Sequence, residues 1–247
     1  MDLIRPDWPA PVGVLAWSTT RTGGESVGPY ASLNLGDHVG DEPERVSRNR
    51  ERLRQRLGLA CEPLWLRQVH GCAVVEAGAA PTGCAADAAV AHGPGQVCAV
   101  LTADCLPVLL CDRAGSAVAA VHAGWRGLAA GVVDGAVAAL GVGPAQVLAW
   151  LGPAIGPEAF EVGSEVRSLF LAADPGAEDA FRSTGKDRWL ADLYTLARRR
   201  LSRAGVTDVF GGGYCTYSDP GRFFSYRRDQ VTGRMASLIW LAPEEMS

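Results

Sequence analysis

Lysine is almost missing from this 247-residue chain, in which Lys186 is the only one. The formal net charge is −4, so the sequence lacks the basic excess that attracts nucleic acids and anionic membranes. We therefore expect neither nucleic acid nor membrane as a partner. Basic charge is carried almost wholly by arginine, whose guanidinium fork matches the geometry of phosphate. Arginines that adjoin glycines are candidate anion ligands for that reason.

A long uncharged apolar run is also absent. The closest stretch, residues 129–151, carries Asp134 and Pro144 and is broken by glycines, so no membrane helix of about 18 residues is expected. The opening segment MDLIRPDWPAPVG has no basic stretch followed by an apolar core, and we expect no signal peptide. The seven cysteines follow no disulfide framework, which indicates reduced thiols and a cytoplasmic location.

Glycine and proline punctuate the apolar segments throughout the chain, a pattern typical of alternating strands and helices. We predict helices over residues 42–57 and 128–140, a strand over residues 63–69 and a final strand over residues 236–241. A hairpin combined with helical crossovers predicts an α/β fold with a mixed sheet and helices on both faces.

The segment DCLPVLLCDRAGSAVAAVHAGWRG is the most informative one, because two apolar runs flank the turn signal of residues 112–115. If Cys111 pairs with Ser116 in this antiparallel hairpin, Cys105 lies directly opposite His122. Directly opposed residues have Cβ atoms roughly 4.5–5.5 Å apart, close enough to share one ion. A slip of one residue would put the two side chains on opposite faces of the sheet.

Histidine is scarce, with four in the chain, and two of these end apolar strands. His70 and His122 are each followed within two residues by a glycine, which lets a ligand approach the backbone closely. Together with Cys105 in TADCLP they form a donor set suited to zinc, with one coordination position left open as in catalytic sites. Spacing alone leaves this interpretation about as strong as the alternative of buried core residues.

Two other interpretations of the same residues stay open. Cys105 could act as a nucleophile with His122 as its base, as in a cysteine hydrolase or amidase. The chain could also be a metal-binding module that catalyses no reaction. Measuring the metal content of the purified protein separates the first of these from a metalloenzyme.

Several long segments resemble one bacterial family from about Val14 to the C-terminus. These segments are RTGGESVGPYASLNLGDHVGD, WLRQVHG, TADCLP, AAVHAGWRG, GPAIGPEAFEVG and CTYSDPGRFFSYRRDQVTGR. They resemble the laccase-domain or multicopper polyphenol oxidoreductase-like proteins, which are also described as zinc-dependent purine nucleoside phosphorylases with adenosine deaminase activity or as peptidoglycan-editing factors. The resemblance implies a single-domain three-layer α/β/α sandwich over residues 1–247 and metal ligands at His70, Cys105 and His122.

The resemblance also implies a phosphate site and groups that handle protons. For phosphate and substrate we select Arg21, Asn34, Arg48, Arg126 and Arg227, with Arg228 and Arg234 as second choices. The catalytic candidates are Cys105, His122, Asp87 and Arg126. Among them Asp87 is the proton shuttle we favour for deamination, ahead of Asp104.

The function that the resemblance implies is phosphorolysis of adenosine, inosine and methylthioadenosine, together with deamination of adenosine. Its partners are then a purine nucleoside and phosphate, and its cofactor is one Zn²⁺ ion, for which Cu²⁺ can substitute at N/S ligands. The alternative is a hydrolase or amidase that edits peptidoglycan precursors with the same site. Four histidines are too few for a multicopper laccase centre, so polyphenol oxidation by that mechanism is not expected. The sequence leaves a monomer and a homodimer equally open.

Overall fold

The computed structural model describes residues 1–243. In chain order its strands are β1 Leu3–Ile4, β2 Val14–Thr19, β3 Val74–Glu76, β4 Ala88–Ala91, β5 Cys98–Thr102, β6 Leu106–Asp112, β7 Val118–Ala123, β8 Val147–Leu151, β9 Glu161–Gly163, β10 Phe181–Gly185, β11 Arg188–Ala191, β12 Asp208–Gly211 and β13 Met235–Leu241. Its α-helices are α1 Pro43–Leu57, α2 Trp125–Ala130, α3 Val132–Ala139, α4 Ser164–Ala173, α5 Leu193–Arg203 and α6 Tyr226–Asp229. No helix in this part of the chain has the length and hydrophobicity that crossing a bilayer requires.

The strands form a large mixed sheet, a second antiparallel sheet and a small third one. The mixed sheet has the order β12-β8-β6-β7-β4-β3, with parallel pairs at its two edges and antiparallel pairs between them. The second sheet has the order β1-β2-β13-β5, and the third has the order β10-β11-β9.

Alternate residues of β6 show how the layers stack. Val108 and Leu110 pack with the helices α2, α3 and α5, whereas Leu109 and Cys111 pack with strands of the second sheet. Both faces of the strand are therefore buried, which explains its continuous apolar sequence. The far face of the second sheet is covered in turn by α1, through Leu53.

The predicted α/β class with a mixed sheet is confirmed, and helices form both outer layers. The β layer between them is double, so one face of the mixed sheet meets a second sheet instead of helices. The predicted strand over residues 63–69 is reduced to isolated bridges at Leu64 and Arg67. The predicted helix over residues 128–140 is two helices that meet at Gly131, whose φ of 97° is left-handed and interrupts the helix.

The predicted register of the β6–β7 hairpin is wrong by two residues. Cys111 pairs with Val118 and Pro107 pairs with His122, so Cys105 is not directly opposite His122. The reason is Asp112, whose carboxylate accepts hydrogen bonds from the backbone N–H groups of Ser116 and Ala117 and so widens the loop. A shift of two residues keeps each side chain on its predicted face of the sheet.

Candidate metal centre

Three side chains from distant parts of the sequence meet at one end of the mixed sheet. His70 lies in the loop before β3, Cys105 comes directly before β6, and His122 lies near the end of β7. Their ligand atoms all lie within 4.8 Å of one another, and Cys105 Sγ is 3.9 Å from His70 Nε2. His122 is buried, Cys105 is half-buried and His70 is exposed, so the cluster opens toward solvent on the His70 side.

Asp87 holds two of these ligands in place. One of its oxygens, Oδ1, lies 2.8 Å from His122 Nδ1 and accepts the backbone N–H of His70 at 2.9 Å. The other, Oδ2, accepts the backbone N–H groups of Gly71 and Val69 at 2.7 and 3.2 Å. These bonds anchor the loop at His70, whose φ of 59° is unusual for a residue other than glycine.

The prediction that Asp87 is a proton shuttle does not fit its position. Its side chain is fully buried and faces the loop and His122 instead of the open side of the cluster. As a carboxylate it accepts a hydrogen bond from Nδ1–H of His122, and a metal ion would bind that ring at Nε2 in place of a proton. These contacts suit a residue that positions the loop and the His122 ring.

The electrostatics of the cluster favour a thiolate. Burial would raise the pKa of the Cys105 thiol, but the charges and hydrogen bonds of His122 and His70 outweigh burial and lower it to about 6. Burial would likewise lower the pKa of His122, yet Cys105 and Asp87 raise it to about 9. Hydrogen bonds from His122 and the loop amides outweigh the burial of Asp87 and hold the pKa of its carboxyl below the ordinary value.

Gly124 leaves room beside all three ligand candidates. A Cβ atom at this position would lie 3.0 Å from His70 Cδ2, 3.1 Å from Cys105 Sγ and 3.7 Å from His122 Cε1. The donor set of two imidazoles and one thiolate, around a space that a single methyl group would crowd, fits a small transition-metal ion such as zinc. Three protein ligands leave one tetrahedral position for another group.

A pocket of about 390 Å³ contains the cluster. Residues 101–103 at the end of β5 form one wall, and the remaining lining groups are polar side chains of His38, Gln68, Tyr226 and Arg234. The amide of Gln68 exchanges two hydrogen bonds with the backbone of Leu101, which fix its orientation. The volume lies in the range typical of small-molecule sites.

Two of the predicted substrate-binding arginines are engaged by backbone carbonyl groups. Arg21 donates to the carbonyl oxygens of Ala31 and Pro220, and its guanidinium lies over the ring of Phe224. The exposed Arg227 donates to the carbonyl oxygen of Glu161. Neither side chain lines the pocket that contains the cluster.

The other two predicted arginines lie on the surface. Arg48 is on the outer face of α1, where its guanidinium pairs with Glu25 at 2.7 Å. Arg126 is exposed and lies over the ring of Trp125, with 4.3 Å between the guanidinium carbon and the ring centroid. Neither lines the pocket, although Arg126 is close in sequence to His122.

Asn34 is buried, and its contacts are with protein groups. Its Oδ1 accepts the backbone N–H groups of Gly36 and Arg234, and its Nδ2 donates to Asp41 and to the carbonyl oxygen of Gly36. Asn34 thus positions the backbone of a pocket residue, Arg234, which the sequence offered only as a second choice.

His38, Gln68 and Tyr226 line the pocket and were not among the sequence candidates. A usable signal existed for each, because all three lie inside segments that carry the family resemblance. Gln68 in particular is a polar side chain two positions before His70. The family segments therefore include all three residues, but the local sequence of a segment does not indicate which of its polar side chains face the pocket.

Comparison with known proteins identifies the family of this chain. The family model described as multi-copper polyphenol oxidoreductase laccase matches residues 15–242. The chain belongs to that family. A relative named purine nucleoside phosphorylase YfiH, from Escherichia coli (strain K12), is 57% identical over 240 residues, which cover 97% of this chain and 98% of the relative.

Other relatives extend the comparison to more distant bacteria and to solved structures. A Streptomyces coelicolor protein, also named a purine nucleoside phosphorylase, is 43% identical over 90% of this chain and 93% of its own length. The crystal structure of the Neisseria meningitidis protein NMB0706 has a TM-score of 0.95 at 54% identity and covers 98% of this chain and 100% of that one. The crystal structure of YlmD from Geobacillus stearothermophilus has a TM-score of 0.92 at 32% identity, with 98% and 97% covered.

Proposed function

We propose that this member of the family is a zinc-dependent purine nucleoside phosphorylase that acts on adenosine, inosine and methylthioadenosine and also deaminates adenosine. The observation that carries the proposal is the convergence of His70, Cys105 and His122 in a pocket of small-molecule size. Identity of 57% over nearly the full length to proteins named purine nucleoside phosphorylase supports the choice of substrate class.

The reaction transfers a ribosyl group to phosphate. An oxygen of dihydrogen phosphate bonds to C1′ of the ribose while the bond from C1′ to N9 of the purine breaks. The electron pair of that bond and the proton released by the phosphate go to the purine, so the products are ribose 1-phosphate and a free base. When bound at His70, Cys105 and His122, a zinc ion would supply Lewis acidity beside the reacting groups.

The chain's own residues prepare the site for these events. Asp87 holds the Nδ1–H group of His122 and so fixes the orientation of the ring, which need not be reorganised when a ligand binds. The neighbouring imidazoles keep Cys105 ionised at neutral pH. Leu101 and Ala103 contribute to a wall of the pocket that suits a planar base, and the phenol of Tyr226 offers a polar group to a sugar hydroxyl.

A second candidate function has a specific observation in its favour. Cys105, His122 and Asp87 form a thiol–imidazole–carboxylate series, and the lowered pKa of Cys105 is the property that a nucleophilic cysteine needs. A hydrolase or amidase of peptidoglycan precursors would use either a metal ion at this site or Cys105 as a nucleophile without a metal ion, and the thiol–imidazole–carboxylate series favours the metal-free form. An enzyme of that form would stay active after its metal is removed.

Polyphenol oxidation, which the family's name suggests, finds less support in these residues. Within residues 1–243 the histidine, cysteine and acidic side chains form one cluster with metal-ligand spacing, and the chain has four histidines. A mixed set of thiolate and imidazole also binds copper strongly, so metal content must be measured on protein purified without added metals.

We also place the protein in the cytoplasm, where a reducing environment keeps Cys105 available as a ligand.

Purified protein incubated with each nucleoside, with and without phosphate, tests the proposal. When phosphate is present, we expect free base together with ribose 1-phosphate from adenosine and inosine, and with methylthioribose 1-phosphate from methylthioadenosine. We expect inosine from adenosine in either case. Base release that does not depend on phosphate would replace phosphorolysis with hydrolysis. The absence of any nucleoside turnover in metal-loaded protein would overturn the proposal.

Removal of the metal tests zinc dependence separately. We expect a chelator to abolish phosphorolysis and added Zn²⁺ to restore it. Phosphorolysis by protein that has been shown to contain no metal would refute the zinc requirement while leaving the substrate class intact.

A further inference from the structure

Arg234 differs from the other predicted arginines because it lines the pocket that holds the metal cluster. It lies directly before β13, far in sequence from all three ligand candidates. Within residues 1–243 it is the one arginine among the lining residues of that pocket. A cationic group there shares its cavity with His70, Cys105 and His122.

The position of Arg234 is set by a segment some 200 residues earlier in the chain. Its backbone N–H donates to Asn34 Oδ1 at 2.9 Å, and its carbonyl oxygen accepts the N–H of Leu35 at 3.1 Å. Gly36 leaves space for the side chain, since a Cβ atom on Gly36 would lie only 2.7 Å from Arg234 Cγ. Asn34 and Gly36 thus direct the Arg234 stem along one path.

The guanidinium of Arg234 is incompletely satisfied. Nη1 donates to the carbonyl oxygens of Thr232 and Gly233, whereas Nε and Nη2 have no acceptor among the described residues. Arg228 is a useful contrast, because its Nε and both Nη atoms donate to carbonyl groups or to Asp229. The negative charges of Cys105 and Asp104 act on Arg234 through space, but neither accepts a hydrogen bond from it, and no carboxylate in residues 1–243 forms an ion pair with it. The unused Nε and Nη2 donors of this half-buried cation therefore favour an anion supplied from outside.

We infer that Arg234 binds a tetrahedral oxyanion, inorganic phosphate, inside the metal pocket through its free Nε and Nη2 donors. This assignment names the phosphate site of the phosphorolysis proposed above and rests on that function for its role in turnover. Two parallel N–H groups of a guanidinium match two oxygens of phosphate, a geometry that a lysine ammonium cannot reproduce. Burial of the site strengthens such a bond relative to one at the surface.

Direct measurement of phosphate binding tests the inference. Wild type, Arg234→Gln, Arg234→Lys and Arg52→Gln are titrated with inorganic phosphate by calorimetry, each with its metal content measured. Arg52 is the matched control, because it is an exposed arginine on α1 that pairs with Glu25. We expect phosphate to bind about 10- to 100-fold more weakly to Arg234→Gln, with Arg234→Lys intermediate and Arg52→Gln unchanged.

Adenosine 5′-monophosphate is titrated in parallel, because a nucleotide carries the same phosphoryl chemistry. If the nucleotide binds in a manner that depends on Arg234 while inorganic phosphate does not bind, the site serves a phosphorylated substrate and our assignment is wrong. Equal affinity of wild type and Arg234→Gln for inorganic phosphate would also overturn it. The melting temperature and metal content of each variant identify any loss that comes from misfolding, and Arg234→Lys keeps the test usable in that case.

Steady-state kinetics separates this inference from the proposed function. In Arg234→Gln we expect KM for phosphate to rise about 10-fold or more, with a much smaller change in KM for inosine. If wild type binds phosphate through Arg234 but phosphorolyses no nucleoside, the proposed function fails and the anion site stands. If wild type phosphorolyses inosine and the variant keeps the same KM for phosphate, the anion site fails alone.

Discussion

The two ends of the β6–β7 hairpin are both organised by a buried aspartate, yet they have different consequences. At the turn, the Asp112 carboxylate accepts hydrogen bonds from Ser116 and Ala117, which are its neighbours in sequence. At the opposite end, Asp87 accepts from residues 69–71 and from His122, which come from separate segments of the chain. A buried carboxylate that accepts several hydrogen bonds thus closes a local loop at one end of the hairpin and holds the segments of the candidate site together at the other.

This difference shows that a buried carboxylate with a lowered pKa is not by itself a sign of function. Hydrogen-bond donors to the carboxylates of Asp87 and Asp112 hold the pKa of both residues below the ordinary value, although burial alone would raise it. What distinguishes Asp87 is that one of its donors is the ring of a metal-ligand candidate. We therefore expect changes at the Asp87 end to alter metal binding and changes at the Asp112 end to alter stability alone.

Removal of His122 has the largest expected effect at the site end. His122→Ala deletes one of three ligand candidates and leaves Asp87 buried without its ring partner, so we expect metal content to fall to background and turnover to be lost. His92→Ala is the matched control, since His92 is half-exposed and lies 3.7 Å from Glu76. Metal content is measured by elemental analysis, and full metal content with full activity in His122→Ala would remove the ligand assignment.

Asp87→Asn is expected to weaken metal binding about 10- to 100-fold. An amide offers one acceptor oxygen and one NH₂ donor, so in either orientation its NH₂ group faces two of the four donors that Asp87 now accepts. Competition with a chromophoric chelator measures the affinity. Asp112→Asn is the control at the other end of the hairpin. If both variants lose metal affinity equally, the expected difference between the two ends is refuted.

Gly124→Ala is expected to weaken metal binding by a smaller factor, roughly 3- to 10-fold, because the cluster must shift by a few tenths of an ångström to admit the methyl group. The backbone at Gly124, with φ of −62°, accepts alanine without strain. Gly143→Ala is the control, since its φ is also −62° and a Cβ there would meet no atom within 4 Å. Unchanged affinity in Gly124→Ala would mean that the space beside the ligands is not needed by the ion.

Asp112→Asn is expected to leave metal binding unchanged and to lower the free energy of unfolding by about 1–3 kcal/mol, because an amide cannot accept all the hydrogen bonds of the loop. Urea unfolding measures the loss. A metal affinity that falls with stability would show that the two ends of the hairpin are coupled.

The stability difference between wild type and Asp112→Asn should depend on pH. Because the folded-state pKa of Asp112 lies below the ordinary value of 3.8, its ionised form stabilises the fold above that pH. The stabilisation is lost as the pH falls through the folded-state pKa. We expect the difference in unfolding free energy to be constant near neutrality and to shrink below about pH 4, and a difference that grows in acid would contradict this sign.

The hairpin shows how far sequence reasoning reached. The apolar runs of β6 and β7 and the turn between them were predictable, because burial on both faces requires continuous apolar residues. The register was not, because it depended on which N–H groups the Asp112 carboxylate accepts. The double β layer was also missed, since an apolar strand packs equally well against a helix or against another sheet.

The site divides in the same way. Motifs in the sequence pointed to His70, Cys105 and His122, and the structure brings them together. The arginines that line the pocket were harder to predict, because an arginine side chain is compatible with almost any surface position. Only tertiary packing decides which arginine is left without protein acceptors for its guanidinium. Arg48 and Arg126 point to the surface, whereas Arg234 lies in the pocket because Asn34 and Gly36, distant in sequence, direct its stem.

By itself, the amino-acid sequence determined the α/β class, because local apolar patterning predicts strands and helices. Its long motifs, by their resemblance to known proteins, also indicated the family and the candidate donor residues. Only the tertiary structure decided the orientation of the donors, the burial of Asp87 against His122 and which arginine lines the pocket. Each of those depends on hydrogen bonds between segments that are far apart along the chain, and no local pattern encodes their geometry.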